Sequence, residues 1–208
     1  MTSDWNKYVG AELYWSLGNA MNQWQHVEIG VFHVFRRVTQ IPNDLIASAV
    51  FFSPIGFRDK LAMVNSSAAY ALAGSPHEAR WITLSNKVGE KNKRRNQLAH
   101  FMSLHTGNSD DLQSHLRPNL FDAKAALQWH KEGRMPQYSP QQLRDIGTSF
   151  GRLSQKLENF ATELADLKLP SPGKSPLQED DHASATENTA HPDPNLPGAL
   201  PSPSRKIP

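Results

Sequence analysis

What most constrains this chain is how its apolar residues recur. In the first forty residues they fall at Leu13, Leu17, Met21, Trp24, Val31, Phe35 and Val38. Steps of three and four, with one of seven, place them on one face of a helix. A long first helix is therefore expected over Asp4 to about Thr39. Glycines 10, 18 and 30 weaken it, and they offer places where a second helix can approach closely.

The same period returns between breaks. Pro42 ends the first segment, and Asn43 or Asp44 can cap a short, very apolar helix over Leu45–Phe52. Ser53-Pro54-Ile55-Gly56 breaks again, and Phe57–Leu72 carries Leu61, Val64, Ala68 and Leu72 in phase. Ser75 as cap and Pro76 at the first position open a fourth helix, expected from His77 to about Leu104. Its stripe is Trp81, Leu84, Val88, Leu98 and Met102. Ser103–Leu120 reads as a polar connection with room for a short strand near Leu116–Leu120. A short helix over Asp122–Lys131 and a turn over Gly133–Tyr138 follow. Ser139-Pro140-Gln141-Gln142 then starts a last helix to about Leu167, striped by Leu143, Ile146, Phe150, Leu153, Leu157, Phe160 and Leu164.

About five helices and no convincing strand pattern predict an all-α, up-and-down bundle over residues 1–168. From 169 to 208 the composition changes. Nine of the fifteen prolines lie there, with no aromatic residue, so a disordered Pro/Ser-rich tail is expected. The chain has no cysteine, which excludes disulfides and thiolate metal sites and fits a cytoplasmic setting. Its N-terminus is polar, unlike a signal peptide, and no apolar run approaches the ~20 residues that cross a bilayer, so no membrane partner is expected. A net charge of +2 directs attention to local clusters instead.

The cluster that stands out is Lys91–Met102 on the fourth helix. With Leu84 at zero and 100° per residue, Arg95 falls at about 20°, inside the apolar stripe, while Asn96 and His100 fall at about 120° and 160°. An arginine in the stripe calls for an acidic partner. Glu28, about 40° from Trp24 on the first helix, is the structural partner expected for Arg95. Histidine moves protons near neutral pH, arginine clamps phosphate through parallel hydrogen bonds, and an amide can orient either group. Those are the needs of RNA strand cleavage, with Arg95, Asn96 and His100 as candidate catalytic residues. Lys91, Lys93 and Arg94, with His105 beyond, are candidate RNA contacts. The scheme asks for no metal and no cofactor. On spacing alone, a solvated basic face with an ordinary surface histidine is the better explanation of the pattern.

Arg95-Asn96-Gln97-Leu98-Ala99-His100 resembles the Arg-x4-His signature of the HEPN superfamily, and the context agrees over roughly residues 5–167. A stripe acid, Glu28, stands on the long first helix; Phe57-Arg58-Asp59-Lys60-Leu61 opens a later one; Ser-Pro-Gln-Gln-Leu opens the last. Phe101-Met102 departs from the small residues frequent after the histidine, and narrows access. The resemblance implies a metal-independent endoribonuclease, often a toxin of a toxin–antitoxin pair or a defence effector. It implies a homodimer whose Arg95 and His100 form one composite site, with an antitoxin or other regulatory protein as a further partner. The alternative is a catalytically inactive helical module serving as an adaptor or a nucleotide/RNA-binding subunit.

Overall fold

The computed structural model describes residues 10–106, 113–118, 127 and 137–167. The elements are α1 (Ala11–Thr39), α2 (Asp44–Phe52), α3 (Phe57–Ala71), α4 (Pro76–His100), β1 (Phe101–Thr106), β2 (Gln113–Pro118) and α5 (Pro140–Ala165). The fold is an up-and-down helical bundle, and side-chain contacts give its directions. Ala20 meets Gly147 and Gly30 meets Leu157, so α1 and α5 run parallel. Arg80 pairs with Glu163 near the start of α4 and Arg94 reaches Tyr138 near its end, so α4 runs against α5. Arg36 pairs with Asp44 while Phe35 packs on Phe51, so α2 turns back along α1. Trp24 then meets Phe57, and Glu28 meets Lys60, as α3 resumes the direction of α1.

The stripes read from the sequence are the core. Trp24, Val31, Phe35, Val64, Trp81, Val88, Phe150, Leu157 and Phe160 are buried in one cluster that also holds Leu98 and Leu164. Trp24 sits edge-on between Phe57 and Phe150, and Trp81 stacks on Phe160 while donating its indole N–H to Asn65. α1 and α5 approach closely at Gly30, where a Cβ would stand 2.8 Å from Cβ of Leu157, and at Gly147, where one would stand 3.2 Å from Cα of Ala20. Caps fall where expected: Asn43 accepts from the amides of Leu45 and Ile46, and Ser139 with Gln142 forms a complete capping box.

Three expectations change. α1 begins at Ala11, because Gly10 adopts φ 89°, a left-handed cap. Residues 4–9 lie outside the described residues. α4 ends at His100, not near Leu104, and Phe101–Thr106 is strand. That segment pairs antiparallel with Gln113–Pro118, with Phe101 opposite Pro118 and Thr106 opposite Gln113, so the supposed polar connection contains a two-stranded ladder. The physical reason is alternation: Phe101 and Ser103 turn inward, Phe101 stacking on Tyr138, while Met102 and Leu104 turn out. Met102, placed on the helical stripe from the sequence, is thus exposed. Leu116 extends the pairing through a bridge to Tyr138. The expected helix over Asp122–Lys131 lies outside the described residues but for Leu127, as do most of the turn and the expected tail.

Candidate functional site

α4 carries the candidate residues on three of its sides. Trp81, Ser85, Val88 and Leu98 are buried and fix the helix to the core. Half-buried Arg95 emerges at the border of that face. Its guanidinium lies 5.9 Å from the Trp24 ring and donates to Oδ1 of Asn96 at 2.9 Å. Its Nε is buried with no hydrogen-bond partner among the described residues. Asn96 and His100 follow on the outward side, both exposed and one turn apart. Lys93, seven residues before His100, is exposed on the same side.

The expected Glu28–Arg95 pair is not formed. Glu28 accepts from Nζ of Lys60 at 2.6 Å, and both side chains are mostly covered, at 17% and 11% exposure. Lys60 also lies over the Phe52 ring, 4.8 Å from its centroid. The reason is level along the bundle. Arg95 comes opposite Trp24, one turn before Glu28, while α3 brings Lys60 directly to the carboxylate. Arg95 consequently has no carboxylate partner among the described residues, and neither do Lys91, Lys93 or Arg94.

Arg94 points the other way. Its guanidinium donates to the hydroxyl of Tyr138 and lies 5.5 Å from that ring, and the same hydroxyl donates to Gln97. Lys91 and Arg94 line a cleft of about 520 Å³ between α4 and α5, with Glu90, Tyr138, Gln142 and Asp145. At 100° per residue, Arg94 and Asn96 are about 160° apart round the helix, so this cleft and the outward flank are separate surfaces. His105 is separate again. It bonds Ser114, packs edge-on to Tyr14, and lies at the far end of β1, roughly 16 Å from His100 at the strand rise. The structure therefore joins Arg95 to Asn96 by a hydrogen bond and sets Lys93, Asn96 and His100 on one outward side, with Arg95 about 140° round the helix from His100; Arg94 and His105 have their own partners in Tyr138 and Ser114.

Residues missed in the sequence are Trp24 as the platform under Arg95, Tyr138 as the anchor of Arg94, and Lys60. The signal for Lys60 was present: it precedes Val64 by one turn on the α3 stripe. Tyr138 had no such signal, because its role comes from the bridge to Leu116. No helix among the described residues is long and apolar enough to cross a membrane. No family model, curated protein or solved structure matches the chain.

Proposed function

We propose that this protein is a metal-independent endoribonuclease acting through Arg95, Asn96 and His100, of the kind its HEPN-like signature implies. One observation carries the reading: half-buried Arg95 has no carboxylate partner among the described residues and is tethered to Asn96, which stands one turn from an exposed histidine. An arginine placed for packing alone would have the stripe acid as its partner; here Lys60 takes that acid. With Nε buried and one terminal nitrogen bonded to Asn96, the remaining N–H groups of the two terminal nitrogens are what the guanidinium can offer a phosphate. His100 takes the proton of the ribose 2′-hydroxyl, the 2′-oxygen bonds to phosphorus, and the bond to the 5′-oxygen breaks. The leaving 5′-oxygen gains a proton, and a 2′,3′-cyclic phosphate remains. Two copies meeting at their α4 flanks would supply a histidine for each transfer. Cytoplasmic RNA is the substrate class, and a toxin or defence effector held by an antitoxin is the setting this activity suits.

The test is cleavage of single-stranded RNA by the purified chain in excess chelator. The expected products carry cyclic phosphate ends. Arg95→Ala and His100→Ala are each expected to lower the rate by ~10²-fold or more while circular dichroism stays unchanged. Cleavage at equal rates by the wild type and both variants refutes the assignment. Absence of cleavage, with RNA bound equally by wild type and His100→Ala, leaves the inactive binding module.

A further inference from the structure

The surface of α2 is not that of a helix facing water. Only Ala47 and Phe51 are buried on it. Leu45 is 81% exposed, Ile46 56%, Val50 40% and Phe52 45%, and Ile55, just beyond, is 103% exposed. Counted at 100° per residue, Phe52, Leu45, Ala49, Ile46 and Val50 fill one arc of about 160°, opposite the buried pair. α2 has a single charged residue, Asp44, at its first position. Scattered apolar residues are ordinary on a surface, but a continuous face of them is not.

We propose that a second copy of this chain covers the α2 face, making it an isologous dimer interface. Area is the first argument. These side chains expose on the order of 600 Å² per protomer, so two facing copies bury roughly 1,200 Å², the lower bound of a stable specific interface. Charge is the second. The ionised groups bordering the face are Arg36 and Asp44, which pair, Lys60 over the Phe52 ring, which pairs with Glu28, and Arg58 and Asp59 just past Ile55. They sum to zero, so the rim meets its own copy without excess of like charge. A lipid surface would instead call for an excess of cations beside the apolar face, whereas Arg36 and Lys60 are each paired with an acid and Arg58 stands next to Asp59.

This interface is independent of the ribonuclease reading. α2 packs on Phe32 and Phe35 in the second half of α1, whereas Arg95 lies over Trp24 and His105 against Tyr14. Where the α4 flanks also meet, the two contacts build a tetramer.

The test compares the full chain with Leu45→Glu/Ile46→Glu by light scattering after gel filtration at tens of micromolar. Both replaced side chains are exposed, and acids suit the first turn of a helix, so the bundle should fold as before. The wild type is expected to be a dimer or larger, and the variant half its mass with unchanged helicity. A wild-type mass of 23.3 kDa, or an unchanged mass in the variant, overturns the proposal. If the variant does not fold, the absence of native cysteine gives a second measurement. Ala49→Cys, at the middle of the arc, is expected to form a disulfide-linked dimer under mild oxidation, and Thr148→Cys on α5 is not. Equal cross-linking of the two refutes the interface. So does a monomeric wild type that floats with phosphatidylcholine–phosphatidylserine vesicles, which would assign the face to lipid.

Discussion

Replacing Lys60 by Met should cost far more stability than replacing Arg95 by Met. Nζ of Lys60 lies 2.6 Å from Glu28, with 11% and 17% of the two side chains exposed. Removing one member of a buried pair strands the other, at a cost of 3–5 kcal/mol. The residual exposure places this pair at the lower end, about 3 kcal/mol. For a domain of this size that lowers the melting temperature by roughly 6–12 °C. Glu28→Gln keeps an acceptor for the ammonium, so about 1–2 kcal/mol is expected. The double variant should cost less than the sum of the singles, with a coupling of about 1 kcal/mol or more. Arg95→Met loses its contact with the Trp24 ring and no ion pair, about 1 kcal/mol. Its coupling to Glu28 should stay within about 0.5 kcal/mol. Urea and thermal unfolding followed by far-UV circular dichroism measure the three single and two double variants. An Arg95 variant as costly as Lys60→Met, or a stronger Glu28–Arg95 than Glu28–Lys60 coupling, refutes the reasoning. It would also return Arg95 to a packing role.

Two further outcomes are expected. Gly30→Ala brings Cβ to 2.8 Å from Cβ of Leu157, an atom that no side-chain rotation moves away, so the helices must shift. Overpacking of about 1–3 kcal/mol should outweigh the ~1 kcal/mol gained in helix propensity, and a stabilised variant refutes this. The Arg80 guanidinium holds the Glu163 carboxyl below the usual carboxylate range, against a smaller opposing effect of burial. Being depressed on folding, it stabilises the protein above the unfolded-state pKa, and that stabilisation is lost as pH falls through the folded value. Arg80→Gln should move the Glu163 midpoint, read by carboxyl NMR titration, up toward the ordinary carboxylate range. An unmoved midpoint rejects the cause.

The fold was legible where burial follows a helical period. The α5 stripe from Leu143 to Leu164 is buried but for half-buried Ile146, and the α1, α3 and α4 stripes meet it. The same period misled at Met102, which continues the α4 stripe in sequence but not in space. What decides there is non-local. Phe101 stacks on Tyr138, thirty-seven positions later, and six residues pair with β2. Helical phase carries no trace of either. The position of Arg95 was likewise legible, because its angle on α4 depends only on spacing. Its partner was not, because that depends on how far α3 slides along α1, and α3 stops with Lys60 at Glu28.

The end of α4 then does more than close a helix. Had it continued to Leu104, Asn96 and His100 would lie mid-helix, with another turn of side chains beyond. The chain instead leaves at Phe101 toward Tyr138, and His100 becomes the last helical residue, at the end of the bundle. The same turn brings Tyr138 to Arg94 on the other side of α4, while Lys93 stays on the outward side with Asn96 and His100. The two proposals rest on different parts of α1: the proposed RNA site near Trp24, the proposed assembly face near Phe32 and Phe35. Their separation has a consequence for kinetics. If paired α4 flanks form the site, specific activity should rise with protein concentration, and Leu45→Glu/Ile46→Glu should keep that rise while losing half its mass. Activity that falls in step with loss of the α2 contact would mean that the α2 interface, not the α4 flank, brings the two histidines together.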